Sequence, residues 1–336
     1  MSNQPLLNIE HLRLSFFTPA GEVKALNDVS FQLEQGDVLG IVGESGSGKS
    51  VTAYSIMGLT AYPGRIVGGE IHFNGHEIHK MTEKEMRSIR GKEVSIIFQD
   101  PMTSLNPVYT IGNQICEVIR LHTNKTKEEA HARAVELLSL VGINEPERRL
   151  KQYPHELSGG MRQRVMIAIA LACEPKLLIA DEPTTALDVT IQAQILELMM
   201  ELKKKIGMSI IMITHDLGVV SNMCDKIAVM YAGKIVEYGT ADDIFYNPQH
   251  EYTRGLLTSI PKLNATEHER LVPIEGQPVD LLNPPAGCPF APRCKSCMKI
   301  CLREMPPYTH FSEDHYSACW LTQKKEFEAR KGGDRT

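Results

Sequence analysis

The 336-residue sequence lacks any long apolar segment and any excess of positive charge. A membrane-spanning helix needs about 20 consecutive apolar residues, and the longest candidate, residues 165–173, is less than half that length. The net charge of −5 gives no reason to expect a nucleic-acid surface. Residues 1–10 lack the basic start and apolar core of a signal peptide. These absences predict a cytoplasmic protein that binds no nucleic acid and meets a membrane only through a partner.

The sequence also lacks internal repeats, and its prolines are spread unevenly. Nine of the 19 prolines lie after residue 260, where they break any long element. We therefore predict a main domain over residues 1–260 and a separate Pro- and Cys-rich extension over residues 261–336.

Apolar patterning in the main domain predicts alternating strands and helices. Unbroken apolar runs at residues 38–42, 177–180 and 210–213 are typical of strands buried on both faces. Alternating apolar residues near the N-terminus predict antiparallel strands instead. Strands that alternate with helices indicate an α/β fold with a mainly parallel sheet. A mostly helical stretch over about residues 100–172 interrupts this pattern and predicts an inserted helical subdomain.

A glycine-rich motif follows the first buried strand. Residues 43–50 read G-E-S-G-S-G-K-S, which matches the phosphate-binding pattern G-x-x-x-x-G-K-[ST]. Strand, loop and helix follow one another here, which disfavours a chance glycine-rich turn. The glycines let backbone N–H groups approach phosphates, Lys49 reaches the β- and γ-phosphates, and the Ser50 hydroxyl binds Mg²⁺. The candidate ATP-binding residues are Gly43, Ser45, Gly46, Gly48, Lys49 and Ser50.

A second motif lies about 110 residues further along. Residues 157–161 read L-S-G-G-M, and Ser158 precedes a helix whose N-terminus offers N–H groups to an anion. In this order and at this distance, the two motifs resemble the signature of ATP-binding-cassette (ABC) ATPases. That resemblance implies that Ser158, Gly159 and Gly160 complete the ATP site of a second ATPase subunit, a paralogue or a second copy. The family usually has Gln where this chain has Met161, which leaves the serine and glycines intact.

Further motif positions occur in the family's order. Asp181 and Glu182 end a buried strand and resemble the Walker B segment, which implies a Mg²⁺ ligand and a general base. Gln99 resembles the Q-loop residue that senses the γ-phosphate and Mg²⁺, and His215 the switch histidine that contacts the γ-phosphate. Asp188 resembles the family's D-loop aspartate.

Phe16 resembles the aromatic residue that stacks on adenine, although Phe17 is adjacent and Phe16 also suits a core strand.

The resemblance covers residues 6–260. It implies an α/β P-loop NTPase fold of the ABC type, with an antiparallel β-subdomain, an inserted helical subdomain and the Cys-rich extension.

Three segments resemble the dipeptide and oligopeptide importers within this family: residues 98–107, residues 247–254 and the tail. The resemblance implies an ATP-hydrolysing subunit at the cytoplasmic face of the membrane, peripheral to it. Its partners would be a second ATPase subunit, two transmembrane permease subunits and an extracytoplasmic substrate-binding protein. The alternatives are an importer ATPase for nickel or another small solute, and a soluble ABC ATPase outside transport. The chain has neither the coiled-coil insertion nor the second cassette usual in the latter.

Five of the eight cysteines crowd the C-terminal fifth of the chain. Cys116, Cys173 and Cys224 stand singly and are read as buried hydrophobic residues. The tail reads C-x5-C-x2-C-x3-C-x17-C, and clustered cysteines in a cytoplasmic protein favour metal over disulfides. Spacing alone leaves zinc and iron–sulfur open.

The importer branch has a similar C-x5-C-x6-C pattern followed by Ala-Cys, and some members carry a [4Fe–4S] cluster there. The resemblance implies Cys288, Cys294, Cys301 and Cys319 as cluster ligands, with Cys297 as an extra thiol and Zn²⁺ or no metal as alternatives.

Overall fold

The computed structural model describes residues 4–100, 104–184, 187–259 and 274–324. Its contacts divide the chain into two compact units. The first unit consists mainly of Leu33–Val38 and Lys80–Ile213, and the second consists of Leu7–Gln32, Leu39–His79 and the chain from Thr214 onward. In the described part of the chain, no helix has both the length and the apolar character needed to cross a membrane.

The second unit contains an antiparallel sheet. Its strands stand in the order β2-β1-β4-β5, with the bounds β1 (Leu7–Thr18), β2 (Gly21–Leu33), β4 (Gly64–Phe73) and β5 (His76–Glu77). Between Leu7 and Leu14 of β1 the apolar residues are buried, and Glu10, His11 and Arg13 between them are exposed. The buried residues Leu7, Ile9, Leu12 and Leu14 lie in the core. This sheet is the antiparallel β-subdomain that the sequence predicts.

A second sheet of this unit leads to the phosphate-binding loop. Strand β3 (Val38–Val42) pairs in parallel with β9 (Lys226–Tyr231), and β9 pairs antiparallel with β10 (Lys234–Thr240). Every residue of β3 is buried, as its unbroken apolar run predicts.

The cysteine-rich extension adds two short strands to this sheet. β12 (Tyr316–Ser317) pairs antiparallel with β10, and β11 (Thr309–His310) pairs with β12. The extension is therefore hydrogen-bonded into the second unit. The predicted boundary at residue 260 stays a prediction, since residues 260–273 lie outside the described residues.

The first unit is built on three parallel strands. Val94 of β6 (Val94–Ile97) is opposite Leu177 of β7 (Leu177–Asp181), which in turn faces Ser209 of β8 (Ser209–Thr214). The side chains of β7 and β8 are all buried.

Helices cover the strands of both units. Those of the second unit are α1 (Lys49–Ile56), α8 (Leu217–Met223), α9 (Ala241–Tyr246) and α10 (Glu251–Thr258). Those of the first unit are α2 (Glu83–Ile89), α3 (Ile111–His122), α4 (Lys127–Leu140), α5 (Pro146–Arg149), α6 (Gly159–Ala170) and α7 (Val189–Ile206). Helices α3 to α6 lie between β6 and β7 in the sequence, where the helical insertion is predicted.

Within the stretch predicted to be mostly helical, residues 111–140 form two helices, α3 and α4. The Thr126 hydroxyl accepts a hydrogen bond from Glu129 N (3.2 Å), and the Glu129 carboxylate accepts one from Thr126 N (2.7 Å). This capping box starts α4 and separates it from α3.

Candidate functional site

The backbone of the phosphate-binding loop depends on two glycines. Gly43 has φ 154°, and a Cβ there would lie 2.2 Å from the Met230 carbonyl oxygen. Gly48 caps α1 in a left-handed conformation (φ 105°), where a Cβ would lie 3.0 Å from the Ala25 carbonyl oxygen. Any side chain at either position would collide with backbone, so the loop requires glycine at both.

Polar groups of the loop gather at the start of α1. The buried Lys49 ammonium donates to the carbonyl oxygens of Gly43 (2.8 Å) and Glu44 (2.9 Å). The Ser47 hydroxyl is buried, and no atom of the described residues hydrogen-bonds to it. A helix N-terminus without acidic residues in its first turn, beside an unpaired hydroxyl and an ammonium, suits an anion such as phosphate.

The other loop residues and Phe16 are more accessible. Ser45 and Gly46 are exposed at the crest of the loop, and Ser50 is half-buried. Phe16 is half-buried on β1, opposite Gly64. The exposed Phe17 ring has the Arg65 guanidinium 4.1 Å from its centre. The assignment of Phe16 to adenine stacking stays a prediction.

His215 directly follows β8 and is exposed. Asp216 beside it caps α8 by accepting a hydrogen bond from Gly218 N (2.8 Å), and it donates its own N–H to the Thr214 hydroxyl (3.0 Å). The strand–Thr–His–Asp segment is thus a tightly bonded turn that presents the histidine at the carboxyl end of a strand.

In the first unit, β7 ends in two carboxylates with different surroundings. Asp181 is only 1% exposed, whereas Glu182 is half-buried and has a left-handed backbone (φ 48°). Its N–H donates to the Ile213 carbonyl (2.9 Å), and its carboxylate accepts a hydrogen bond from Gln99 Nε2 (2.9 Å). Two residues 83 positions apart are thereby brought together, and a strained non-glycine residue at a strand end is a frequent feature of functional sites.

The signature segment begins α6. The Ser158 hydroxyl accepts a hydrogen bond from Met161 N (3.3 Å), as an N-cap does. A Cβ on Gly160 would lie 3.0 Å from Ile191 Cγ2 of α7, whose N-cap is Asp188. The predicted signature and D-loop residues are therefore neighbours through Ile191.

The predicted nucleotide residues are divided between the two units. The phosphate-binding loop, Phe16 and His215 belong to the second unit, and the other predicted nucleotide residues belong to the first.

Four tail cysteines line one small cavity, to which His250, Phe290 and Trp320 also contribute. These are the four that the sequence predicts as cluster ligands: Cys288, Cys294, Cys301 and Cys319. Cys297 is exposed and does not line the cavity.

Each of the four cysteines has a backbone amide directed at its sulfur. Met298 N donates to Cys301 Sγ (3.4 Å). The other backbone donors are Phe290 for Cys288, Ser296 for Cys294, and Glu251, Leu321 and Thr322 for Cys319. Amide donors around clustered thiolates are the usual surroundings of an iron–sulfur group.

Burial opposes ionisation of the Cys288, Cys294 and Cys319 thiols by raising their pKa. It raises the pKa of Cys288 to about 12 and the pKa of Cys294 to about 11. A cation that binds the thiolates must therefore displace their protons.

Among the described residues, Glu70, Glu77 and His79 form the one group of three His, Cys, Asp or Glu side chains whose ligand atoms lie within 4.8 Å of one another.

Sequence reasoning missed two residues that contact the phosphate-binding loop. Arg293 pairs with Glu44 of the loop, and the Tyr252 hydroxyl accepts a hydrogen bond from Glu44 N (2.8 Å). Burial raises the pKa of Tyr252, so its hydroxyl stays protonated. Because these partners are more than 200 positions from Glu44, a single sequence contains no local signal for them.

Comparisons with known proteins agree with this geometry. Residues 26–185 match the ABC transporter family, and residues 236–301 match the C-terminal region of oligopeptide/dipeptide transporters. A dimeric, post-hydrolysis structure of an ATP-binding cassette bound to ADP and Pi aligns with TM-score 0.64 at 26% identity, covering 70% of this chain and 98% of the other. The protein is an ABC-type P-loop ATPase, as the sequence predicts.

Similar proteins narrow the class further. The oligopeptide transport ATP-binding protein OppD of Bacillus subtilis is 59% identical over 317 residues, 94% of this chain and 88% of that protein. The dipeptide transport ATP-binding protein DppD of the same organism is 53% identical over 332 residues, 98% and 99% of the two chains. The chain belongs to the ATP-binding subunits of oligopeptide and dipeptide ABC importers, and the peptide-importer prediction is confirmed.

Proposed function

We propose that this ATPase subunit hydrolyses ATP with Glu182 as general base. The observation that carries the proposal is the position of Glu182. It directly follows the buried strand β7, its N–H donates to the Ile213 carbonyl, and its carboxylate accepts a hydrogen bond from Gln99. A carboxylate held this way can take a proton from the water that attacks the γ-phosphate.

The remaining nucleotide residues have complementary roles in this proposal. Lys49 and the loop N–H groups bind the β- and γ-phosphates, His215 contacts the γ-phosphate, and Phe16 stacks on adenine. Ser50, Gln99 and Asp181 would hold Mg²⁺, which neutralises charge on the phosphates. The buried, unpaired Ser47 hydroxyl supports a phosphate ligand at the loop.

The signature acts on a different nucleotide. Ser158, Gly159, Gly160 and Asp188 complete the site of a second ATPase subunit, a paralogue or a copy of this chain. An isolated monomer is then nearly inert, and dimer formation raises its turnover.

Glu182→Gln tests the general base. The variant should bind MgATP with unchanged affinity, and its turnover should fall by about 10²–10⁴-fold because proton transfer is lost. Glu201→Gln, on the exposed side of α7, is the matched control and should keep normal turnover. Near-normal hydrolysis by Glu182→Gln would rule out this assignment.

We further infer the partners and location. As the ATPase subunit of a peptide importer, the chain should assemble with two permease subunits and work with an extracytoplasmic substrate-binding protein, peripheral to the cytoplasmic face of the membrane. The helical segment around α3 to α6 and the Gln99 region would pass nucleotide-driven motion to the permease. Co-purification with hydrophobic permease subunits in detergent tests this, and a chain that purifies from membranes without them would contradict it.

The extension is proposed to bind a [4Fe–4S] cluster through Cys288, Cys294, Cys301 and Cys319. The shared cavity of four cysteines and the amides directed at their sulfurs support a thiolate-bound group there, with Zn²⁺ as the alternative. Three buried cysteines, Cys288, Cys301 and Cys319, and the half-buried Cys294 would supply the thiolate ligands.

Anaerobic purification tests the cluster. The protein should be brown, with broad absorbance near about 400 nm that dithionite or oxygen bleaches. A colourless preparation loaded with zinc would reject the cluster and favour the alternative metal.

A further inference from the structure

Arg293 of the cysteine-rich extension reaches the phosphate-binding loop. Its two terminal nitrogens donate to the two carboxylate oxygens of Glu44, at 2.5 and 3.0 Å. Glu44 is the second residue of the loop motif, directly after Gly43. Arg293 directly precedes Cys294, a lining residue of the cysteine cavity. A bidentate guanidinium–carboxylate pair therefore joins the extension to the ATP-binding loop.

The arginine is anchored on its own side of this pair. Its remaining donor capacity is directed at the Tyr231 hydroxyl (3.3 Å) and at the carbonyl oxygens of Ile274 (3.1 Å) and Glu275 (3.0 Å). Its side chain is 4% exposed, compared with 28% for Glu44. A guanidinium with every nitrogen engaged has little freedom, so it can fix the orientation of the carboxylate it binds.

Glu44 is held through its backbone as well. Its N–H donates to the Tyr252 hydroxyl at 2.8 Å. The Tyr252 ring packs against those of Tyr231 and Phe290, with ring centres 4.7 and 5.3 Å away. Phe290 lies in the extension, so this aromatic cluster is a second connection between the extension and the loop.

The position of Glu44 matters for the loop because its carbonyl oxygen and that of Gly43 accept hydrogen bonds from the Lys49 ammonium. A shift of Glu44 would move these carbonyls and the N–H groups that follow. Phosphate binding depends on the alignment of such groups, and small displacements weaken it.

We propose that Arg293 is a positioning residue for ATP binding, through which the cysteine-rich extension fixes the phosphate-binding loop at Glu44. The inference rests on the proposed role of the loop as the ATP phosphate site. Because energetic coupling between two sites is reciprocal, bound nucleotide should stabilise the extension by the same factor. The extension thus contributes to the nucleotide site itself.

Nucleotide affinity of the full-length protein tests the contact. Arg293→Gln should raise the dissociation constant for MgATP and for ADP by about 5–50-fold, a typical range for coupled sites. Arg293→Lys keeps the charge but loses the bidentate guanidinium. Its dissociation constant for MgATP should therefore lie between those of Arg293→Gln and the original chain. Lys295→Gln is the matched control. Its exposed side chain pairs with Glu275 at 3.7 Å and should leave affinity unchanged.

A double-variant cycle isolates the pair. Glu44→Gln alone should weaken MgATP binding, and adding Arg293→Gln should weaken it little further. Affinity of Arg293→Gln equal to the original chain, or fully additive losses in the double variant, would overturn the proposal.

Trp320 reports the reciprocal effect, which a merely structural arginine would not produce. It is the single tryptophan of the chain, and its Nε1 donates to the Glu304 carbonyl within the extension (2.9 Å). Saturating MgATP should raise the urea midpoint of Trp320 emission in the original chain and in Lys295→Gln. The rise should be smaller in Arg293→Gln at the same MgATP concentration. An equal rise in Arg293→Gln would contradict the link.

MgATP binding by Lys49→Ala distinguishes a failure of the Arg293 positioning role from a failure of the proposed ATP-binding role of the loop. If it abolishes MgATP binding while Arg293→Gln binds normally, only the positioning role fails. If Lys49→Ala itself binds MgATP normally, the proposed function of the loop fails.

Discussion

The phosphate-binding loop and the cysteine cavity are two candidate binding sites that the chain forms in different ways. Both belong to the second unit, and in the proposed function both hold negative charge, on phosphates at the loop and on thiolates at the cavity. The loop does so within eight consecutive residues, using glycines that bring the backbone close. The cavity assembles four cysteines spread from Cys288 to Cys319. The contiguous loop is visible in the sequence as one short motif, whereas the dispersed cavity is visible as a spacing pattern of separated cysteines.

The phosphate-binding loop and the cysteine-rich extension are also connected by direct contacts. The Arg293–Glu44 pair joins them, and Tyr252 supports the loop from α10. Variants that damage one region should therefore affect the other, by an amount that depends on the route between them.

The largest effect is expected at Gly43. In Gly43→Ala the Cβ would lie 2.2 Å from the Met230 carbonyl oxygen, so the loop must move. MgATP affinity should fall at least about 100-fold, because each lost hydrogen bond to a charged group is worth about 1.5–3 kcal/mol. Isothermal titration calorimetry measures this.

Gly68→Ala is the control for that substitution, since a Cβ there meets nothing closer than Arg13 Cδ at 3.8 Å. Equal affinities for the two variants would show that the backbone approach at Gly43 is dispensable.

Gly287 is the corresponding position at the cavity. A Cβ there would lie 2.2 Å from the Cys301 carbonyl oxygen, which accepts a hydrogen bond from Cys288 N (2.8 Å). Gly287→Ala should lose most bound iron, whereas MgATP affinity should fall only about fivefold through the connection to the loop. Iron content and affinity are measured on the same anaerobic preparation. An unchanged iron content would separate this backbone contact from cluster binding.

Tyr252→Phe tests the hydrogen bond between the Tyr252 hydroxyl and the loop at Glu44, and we expect a smaller effect. Removing the hydroxyl leaves the Glu44 N–H without its acceptor, which should lower the free energy of unfolding by about 1–3 kcal/mol. Urea denaturation followed at Trp320 measures it. Tyr246→Phe, at an exposed tyrosine, should change stability little. A Tyr252→Phe chain as stable as that control would argue against a structural role for the bond.

The smallest effect is expected at Cys297. This thiol is exposed and lies outside the cavity, so Cys297→Ser should keep the colour, the iron content and the MgATP affinity of the original chain. Cys301→Ser, at a buried cavity residue, should lose most of the iron. Iron loss from Cys297→Ser comparable to that from Cys301→Ser would place the fifth cysteine among the ligands.

Many strands and the loop motif could be predicted from the sequence because each depends on residues that are close together in the chain. Buried strands such as β3 and β7 follow from unbroken apolar runs, and the loop motif lies between a strand and a helix as expected. The break between α3 and α4 also has a local signal, the Thr126–Glu129 capping box, within the stretch predicted to be mostly helical.

Long-range pairings could not be predicted from patterns. The pairing of β12 with β10 and the Arg293–Glu44 contact each join distant segments, and neither requires a recognisable residue pattern. From the sequence alone, Arg293 is expected to be exposed, because arginine is rarely buried. In the structure its side chain is buried by its contacts. Such contacts depend on how the elements pack, which the sequence shows only indirectly.

In the proposed function, the loop and the signature of one chain serve two different ATP molecules. The most direct test is the MgATP dissociation constant of the isolated, dilute monomer that carries Ser158→Arg, with Lys49→Ala alongside it. We expect Ser158→Arg to bind MgATP within about twofold of the original chain and Lys49→Ala to bind it far more weakly. Loss of monomer affinity in Ser158→Arg comparable to that in Lys49→Ala would contradict it.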